Sequence, residues 1–75
     1  MSSQSFRLIF PKHLLNEPVI NTLMREYNFT LNILRANITS DEGWMDIKIT
    51  GPTSTIESAV SWLKDQDIEI LIISR

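Results

Sequence analysis

His13 is the one histidine of a chain that contains no cysteine, so it lacks the second reactive group that nucleophilic or metal chemistry requires. With Lys12 beside it, it reads as a solvated loop histidine. Carboxylates Asp41, Glu42 and Asp46 cluster around an expected hairpin turn. No histidine or glycine-rich turn joins them, which favours an exposed polar turn over a metal site. The glycine patterns that cradle phosphates or dinucleotides are absent. Pro11-Lys12-His13-Leu14-Leu15 offers neither the arginine nor the glycines of an acylphosphatase loop. The chain therefore reads as non-enzymatic, with no catalytic residue, cofactor or metal site expected.

Asn32, followed by Ile33 and Leu34, is the residue that invites a binding explanation. It heads an otherwise apolar strand pattern, where a buried amide must find partners or face a desolvation cost of roughly 1–3 kcal/mol. Two readings fit. Asn32 bonds to nearby backbone and orders the start of the strand, or its donor and acceptor meet the main-chain carboxylate or amine of a ligand at a subunit edge.

The elements that position Asn32 follow from periodicity. Ser5 to Phe10 alternates Phe6, Leu8 and Phe10 against Arg7 and Ile9, a strand that Pro11 ends. Asn16-Glu17-Pro18 opens a helix, with Asn16 or Glu17 as cap and Ile20, Leu23, Met24 and Tyr27 at helical spacing up to about Asn28. Phe29 to Thr39 and Trp44 to Thr50 form a hairpin across the Ser40-Asp41-Glu42-Gly43 turn. The expected register sets Ile38 opposite Met45, Ala36 opposite Ile47 and Leu34 opposite Ile49, which also puts Asn32 under the helix layer. Asn37 then faces Asp46, Arg35 faces Lys48, and Arg35 lies diagonal to Asp46. Ser54-x-x-Glu57 reads as a capping box for a helix that buries Ile56, Ala59, Val60 and Leu63, with Trp62 beside the stripe. Ile68 to Ile73 closes the chain as a strand.

Strand, helix, strand, strand, helix, strand with short links is the α+β, ferredoxin-like βαββαβ plan, a four-stranded antiparallel sheet with two helices on one face. Residues 1–75 read as a single domain, with 1–4 disordered. The helix-free face is expected to carry Arg7, Ile9, Ile33, Trp44, Glu69, Leu71 and Ile73. That is more apolar surface than a monomer usually exposes, so Ile9, Trp44, Leu71 and Ile73 are the candidate interface residues.

Composition excludes several classes. With 43% hydrophobic residues, 21% charged residues and a net charge of −2, the chain reads as globular, and nothing suggests the clustered cations that nucleic acid demands. An RNA-recognition reading fails further because the third strand offers Trp44 alone on the open face. No segment approaches the roughly 20 apolar residues of a membrane helix, and no signal peptide is visible. A cytoplasmic protein without membrane insertion is expected.

The run Glu17-Pro18-Val19-Ile20, then Leu23, Asn32-Ile33-Leu34, Gly43-Trp44, Gly51, Ala59 and Leu63 resembles the NIL domain, named for its Asn-Ile-Leu motif. The likeness extends from Phe6 to Ile72. It implies an ACT-like module of the kind found at the C-terminus of methionine ABC importer ATP-binding subunits, where paired domains bind methionine and inhibit transport. The same domain also occurs beside iron–sulfur ferredoxin modules and in short proteins, and the Gly43-Trp44-Met45-Asp46 stretch is more similar to the ferredoxin-linked branch. On matching positions the resemblance implies Asn32 as a ligand contact, with Ile33 and Leu34 as an apolar wall that suits a thioether. It also implies an ABC transporter or ferredoxin-type protein as partner, and the chain reads either as a domain cut from a longer protein or as a free-standing regulator.

The expected function is thus a small regulatory domain, a homodimer that binds an amino acid such as methionine at the dimer interface. The alternative is a protein-interaction module that docks through the open face, centred on Ile9, Ile33, Trp44 and Leu71, and binds no metabolite.

Overall fold

Alternating apolar residues build the centre of the sheet, and the computed structural model describes residues 1–74 of the chain. The elements are β1 (Ser2–Phe10), a 3₁₀ turn (Lys12–Leu14), α1 (Val19–Glu26), β2 (Thr30–Ile38), β3 (Gly43–Gly51), α2 (Thr53–Asp65) and β4 (Glu69–Ser74). The strands lie in the order β2-β3-β1-β4, every neighbour antiparallel. This is the ferredoxin-like plan that the periodicity predicts.

Phe6, Leu8 and Phe10 of β1 and Met45, Ile47 and Ile49 of β3 form the buried floor. Val19 and Leu23 of α1, Ile56, Ala59 and Leu63 of α2, and Ile68 complete one cluster above it. Both helices therefore cover the same face. They protect the two central strands and leave the edges open: neither β2 nor β4 contains a buried residue. No helix among the described residues is long and apolar enough to cross a membrane.

The hairpin differs from expectation in register in two ways: the turn sets the strands two residues from the expected alignment, and a bulge in β2 shifts them once more. Ile38 pairs with Gly43, Asn37 with Trp44, Ala36 with Met45 and Arg35 with Asp46, two residues from the expected alignment. The register then shifts, so that Ile33 pairs with Ile47, Asn32 with Lys48 and Leu31 with Ile49. Leu34 is the extra residue, left without a partner as in other β-bulges. Without it, Asn32 would stand opposite Ile49 and Ile33 opposite Lys48. The bulge returns Leu31 and Ile33 to the helix side and turns Asn32 to the open face, the reverse of the expected placement for both Asn32 and Ile33. Arg35 lies on the turn side of the bulge, and the alignment set by the turn places it directly opposite Asp46 instead of Lys48.

Further differences lie at element ends. Residues 2–4, expected to be disordered, continue β1 against Gly51, Thr50 and Ile49. Neither helix has a side-chain cap, so the expected roles of Asn16, Glu17 and the Ser54–Glu57 box are not realised. α2 starts at Thr53, which places Ser54 inside the first turn, and the Pro52 carbonyl accepts the Ile56 N–H at 3.1 Å. At its other end, Asp67 N–H donates to Lys64 O at 3.1 Å and Ile68 N–H to Leu63 O at 3.3 Å. This is a Schellman ending, with Asp67 in the left-handed position at φ 65° where glycine is usual.

The hairpin turn is held by Thr39. Its hydroxyl accepts the N–H groups of Asp41 and Glu42 at 3.3 and 3.1 Å, and its own N–H donates to Glu42 O at 2.8 Å. Just beyond, a Cβ on Gly43 would come within 2.7 Å of Leu15 Cδ2, so a larger residue there would push the end of that leucine aside. At the other end of the sheet, Ser5 of β1 pairs with Ser74 of β4 across a second irregularity, which leaves Ile73 without a cross-strand partner.

Candidate functional site

Asn32, Ile33 and Leu34 occupy the outer edge of the sheet. All three are exposed, Ile33 and Leu34 by 55% and 54%. Because Asn32 shares the open face with Lys48, its amide meets solvent and the desolvation argument for a buried partner does not apply. Their own strand, β2, carries unpaired backbone groups along its outer side, as every edge strand does. The structure brings these three residues together as neighbours of one bulge, but along the open edge of the sheet and outside the concave features of the helix side.

The centre of the open face holds a cluster whose strength sequence reasoning missed. Arg7 of β1 donates to Asp46 of β3 through Nε at 2.7 Å and Nη2 at 3.0 Å, and Arg35 of β2 donates through Nε at 2.7 Å. Asp46 is only 1% exposed, covered by the two guanidiniums themselves. Hydrogen bonding from Arg7 is the main cause that lowers its carboxyl to about 2; burial opposes the shift, and the bond and charge of Arg35 add to it. Arg7 is raised in turn by the same bond. The Arg7 guanidinium also stacks 4.2 Å from the centre of the Trp44 ring, a cation–π contact. The signal available in sequence was the alternation of Arg7 with Phe6 and Leu8, which fixes its face. The pairing with Asp46 depends on the register between β1 and β3, which alternation within either strand does not define.

The four expected interface residues separate. Ile9 lies opposite Trp44 and Glu69 on the open face, and both Ile9 and Trp44 are half-buried. Leu71 is opposite Arg7 and 45% exposed. Ile73, at the irregularity of β4, is 49% exposed.

The concave features on the helix side include two lined largely by apolar residues. A cavity of about 160 Å³ is lined by Phe10, Leu14, Leu15, Ile20, Ile38 and Met45, with Glu17 and Asn21 among its polar groups. A shallower groove of about 440 Å³ runs between α2 and β4 past Phe6, Ile56, Val60, Ile70 and Ile72. Neither includes Asn32. His13 is exposed in the 3₁₀ turn, and Lys12 Nζ lies 3.4 Å from Asp41 Oδ1 in an exposed ion pair. Asp41 and Glu42 stay on the turn while Asp46 is taken by arginines. Among the described residues no three His, Cys, Asp or Glu side chains are grouped to hold a metal.

The chain is similar to known proteins over nearly its whole length. The family model described as NIL domain matches residues 4–71. An uncharacterized protein of Synechococcus elongatus is 30% identical over 73 residues, which is 93% of this chain and 90% of that protein. The methionine import ATP-binding protein MetN of Helicobacter pylori is 26% identical over 73 residues, 92% of this chain but 22% of the importer subunit. The chain thus spans about a fifth of that relative. The crystal structure of the C-terminal domain of an ABC transporter ATP-binding protein from Enterococcus faecalis superposes with a TM-score of 0.81 at 24% identity, covering 93% of this chain and 82% of that one.

Proposed function

Because the chain belongs to the NIL domain family, homologous to a C-terminal domain of importer ATP-binding subunits, we propose that it is a regulatory domain that binds an amino acid such as methionine along the β2 edge. The observation that carries this reading is the exposed, bulged Asn32-Ile33-Leu34 segment on an unpaired strand. A ligand against the edge meets both faces at once, the amide of Asn32 on one side and the apolar Ile33 and Leu34 beside it. Small-molecule sites are concave and cover most of their ligand. An open edge becomes such a site only when a second surface closes over it, so a second copy of the domain completes the site as a homodimer. In this reading the domain acts in the cytoplasm, and the partner that receives its signal is an ABC transporter or ferredoxin-type protein.

Isothermal calorimetry with L-methionine and other amino acids tests this. Stoichiometric binding is expected, weakened at least about tenfold by Asn32→Ala, the loss that follows from one hydrogen-bonding amide to a charged group. Folded protein that gives no heat with any amino acid refutes it. A second reading, protein docking on the open face, is favoured by the exposure of Leu71 and Ile73. Loss of partner capture on Trp44→Ala with no amino-acid binding would select it.

A further inference from the structure

We propose that the carboxylate of the bound amino acid docks on the open face between Arg35 and Lys48, with Asn32 taking its ammonium group. This inference rests on the ligand reading above and assigns it two further residues and an orientation. Asn32 and Lys48 are direct cross-strand partners, and Arg35 and Asp46 are the next open-face pair along the same two strands. The three polar heads therefore share one face within a single step of the sheet.

Their charges are not used up inside the chain. Asp46 takes two bonds from Arg7 and one, through Nε alone, from Arg35. Arg35 keeps both Nη groups without a partner among the described residues, and its side chain is 70% exposed. Lys48 is exposed and forms no ion pair among them. Arg7, Arg35 and Lys48 against the one carboxylate of Asp46 give this patch a formal charge of +2, in a chain whose net charge is −2.

The Nε bond to Asp46 also holds one edge of the Arg35 guanidinium, so the other is presented with less rotamer freedom to lose on binding. Guanidinium forks match carboxylates in shape, and charge-assisted bonds of this kind are about twice as strong as neutral ones. An α-amino acid offers one anion and one cation a few bonds apart. The cations of Arg35 and Lys48 select its anion, which leaves the amide oxygen of Asn32 for the ammonium and the exposed bulge residue Leu34, at the sheet edge, for the side chain.

The test is calorimetry with L-methionine and L-methionine methyl ester, which keeps the ammonium and thioether but removes the negative charge. Wild type is expected to prefer the acid by about tenfold or more, as one charge-assisted pair implies. Lys48→Gln and Arg35→Gln should erase most of that preference while leaving ester binding unchanged. Lys48→Gln is the decisive variant, since Lys48 supports no internal contact, whereas Arg35→Gln also removes a bond from Asp46. Equal binding of acid and ester by wild type, or an acid preference that survives Lys48→Gln and Arg35→Gln, overturns the inference and leaves the ligand reading standing if Asn32→Ala still weakens binding about tenfold or more. If neither compound binds folded wild type, the ligand reading falls and this inference falls with it.

Discussion

Protonating Asp46 removes the acceptor that Arg7 and Arg35 share. Its carboxyl titrates near 2 in the folded protein against an ordinary 3.8, so the folded state binds this proton more weakly than the unfolded chain does. The stability it contributes is complete above about pH 4 and is lost as pH falls through 2. Asp46→Asn is therefore expected to destabilise the domain at neutral pH, and urea unfolding of the variant should lack that part of the acid limb between pH 4 and 2. Asp67 has the opposite character. It holds a left-handed backbone angle at the Schellman ending of α2, so Asp67→Gly should raise stability by about 0.5–1 kcal/mol, read from the denaturation midpoint. At this scale the sequence was partly legible. The face of Arg7 follows from simple alternation, but the partner of Asp46 and the face of Asn32 depend on a register that alternation alone does not define.

β2 explains why. Its sequence alternates correctly on either side of Leu34, with Leu31 and Ile33 facing the helices before it and Ala36 and Ile38 after it. Two adjacent apolar residues, Ile33-Leu34, mark the place where the period breaks. Read as one uninterrupted strand, the segment puts Asn32 under the helices; read with one inserted residue, every side chain finds its proper face. Deletion of Leu34 should leave both halves paired as they are and give a regular strand. The amide NMR spectrum of the variant should remain that of the folded protein, while light scattering at rising concentration should reveal stronger aggregation, because a bulge blunts an edge against further pairing. An unfolded spectrum would show that the bulge is more than an insertion. Element types and order were readable because each has a clear period. Helix starts were not, because both helices begin behind a proline whose carbonyl serves the first turn, Thr22 N–H to Pro18 O at 3.0 Å and Ile56 N–H to Pro52 O at 3.1 Å.

The whole molecule has a core confined to two strands and two helices, and a domain of this size leaves a large share of its surface in water. Ile33, Leu34, Ile38, Leu71, Ile72 and Ile73 all remain about half exposed on the two outer strands. Covering either strand stabilises the folded chain by mass action. If the proposed homodimer forms, the melting temperature is expected to rise with protein concentration, in step with dimer measured by sedimentation; a melting temperature independent of concentration with a monomer throughout would contradict that proposal. The excess of apolar surface was legible as a composition of faces, whereas its location on the edges was not, because strand patterns do not state how far two short helices reach. The pairing of Ser5 with Ser74 has a different consequence. Chain entering at β1 and chain leaving at β4 run side by side at one end of the sheet, opposite the Thr39–Glu42 turn. A host polypeptide can be interrupted by this domain with its two halves still adjacent, and a short tether between Ser2 and Ser74 with a cut at the exposed turn gives a permuted chain that retains every strand pairing except the turn itself.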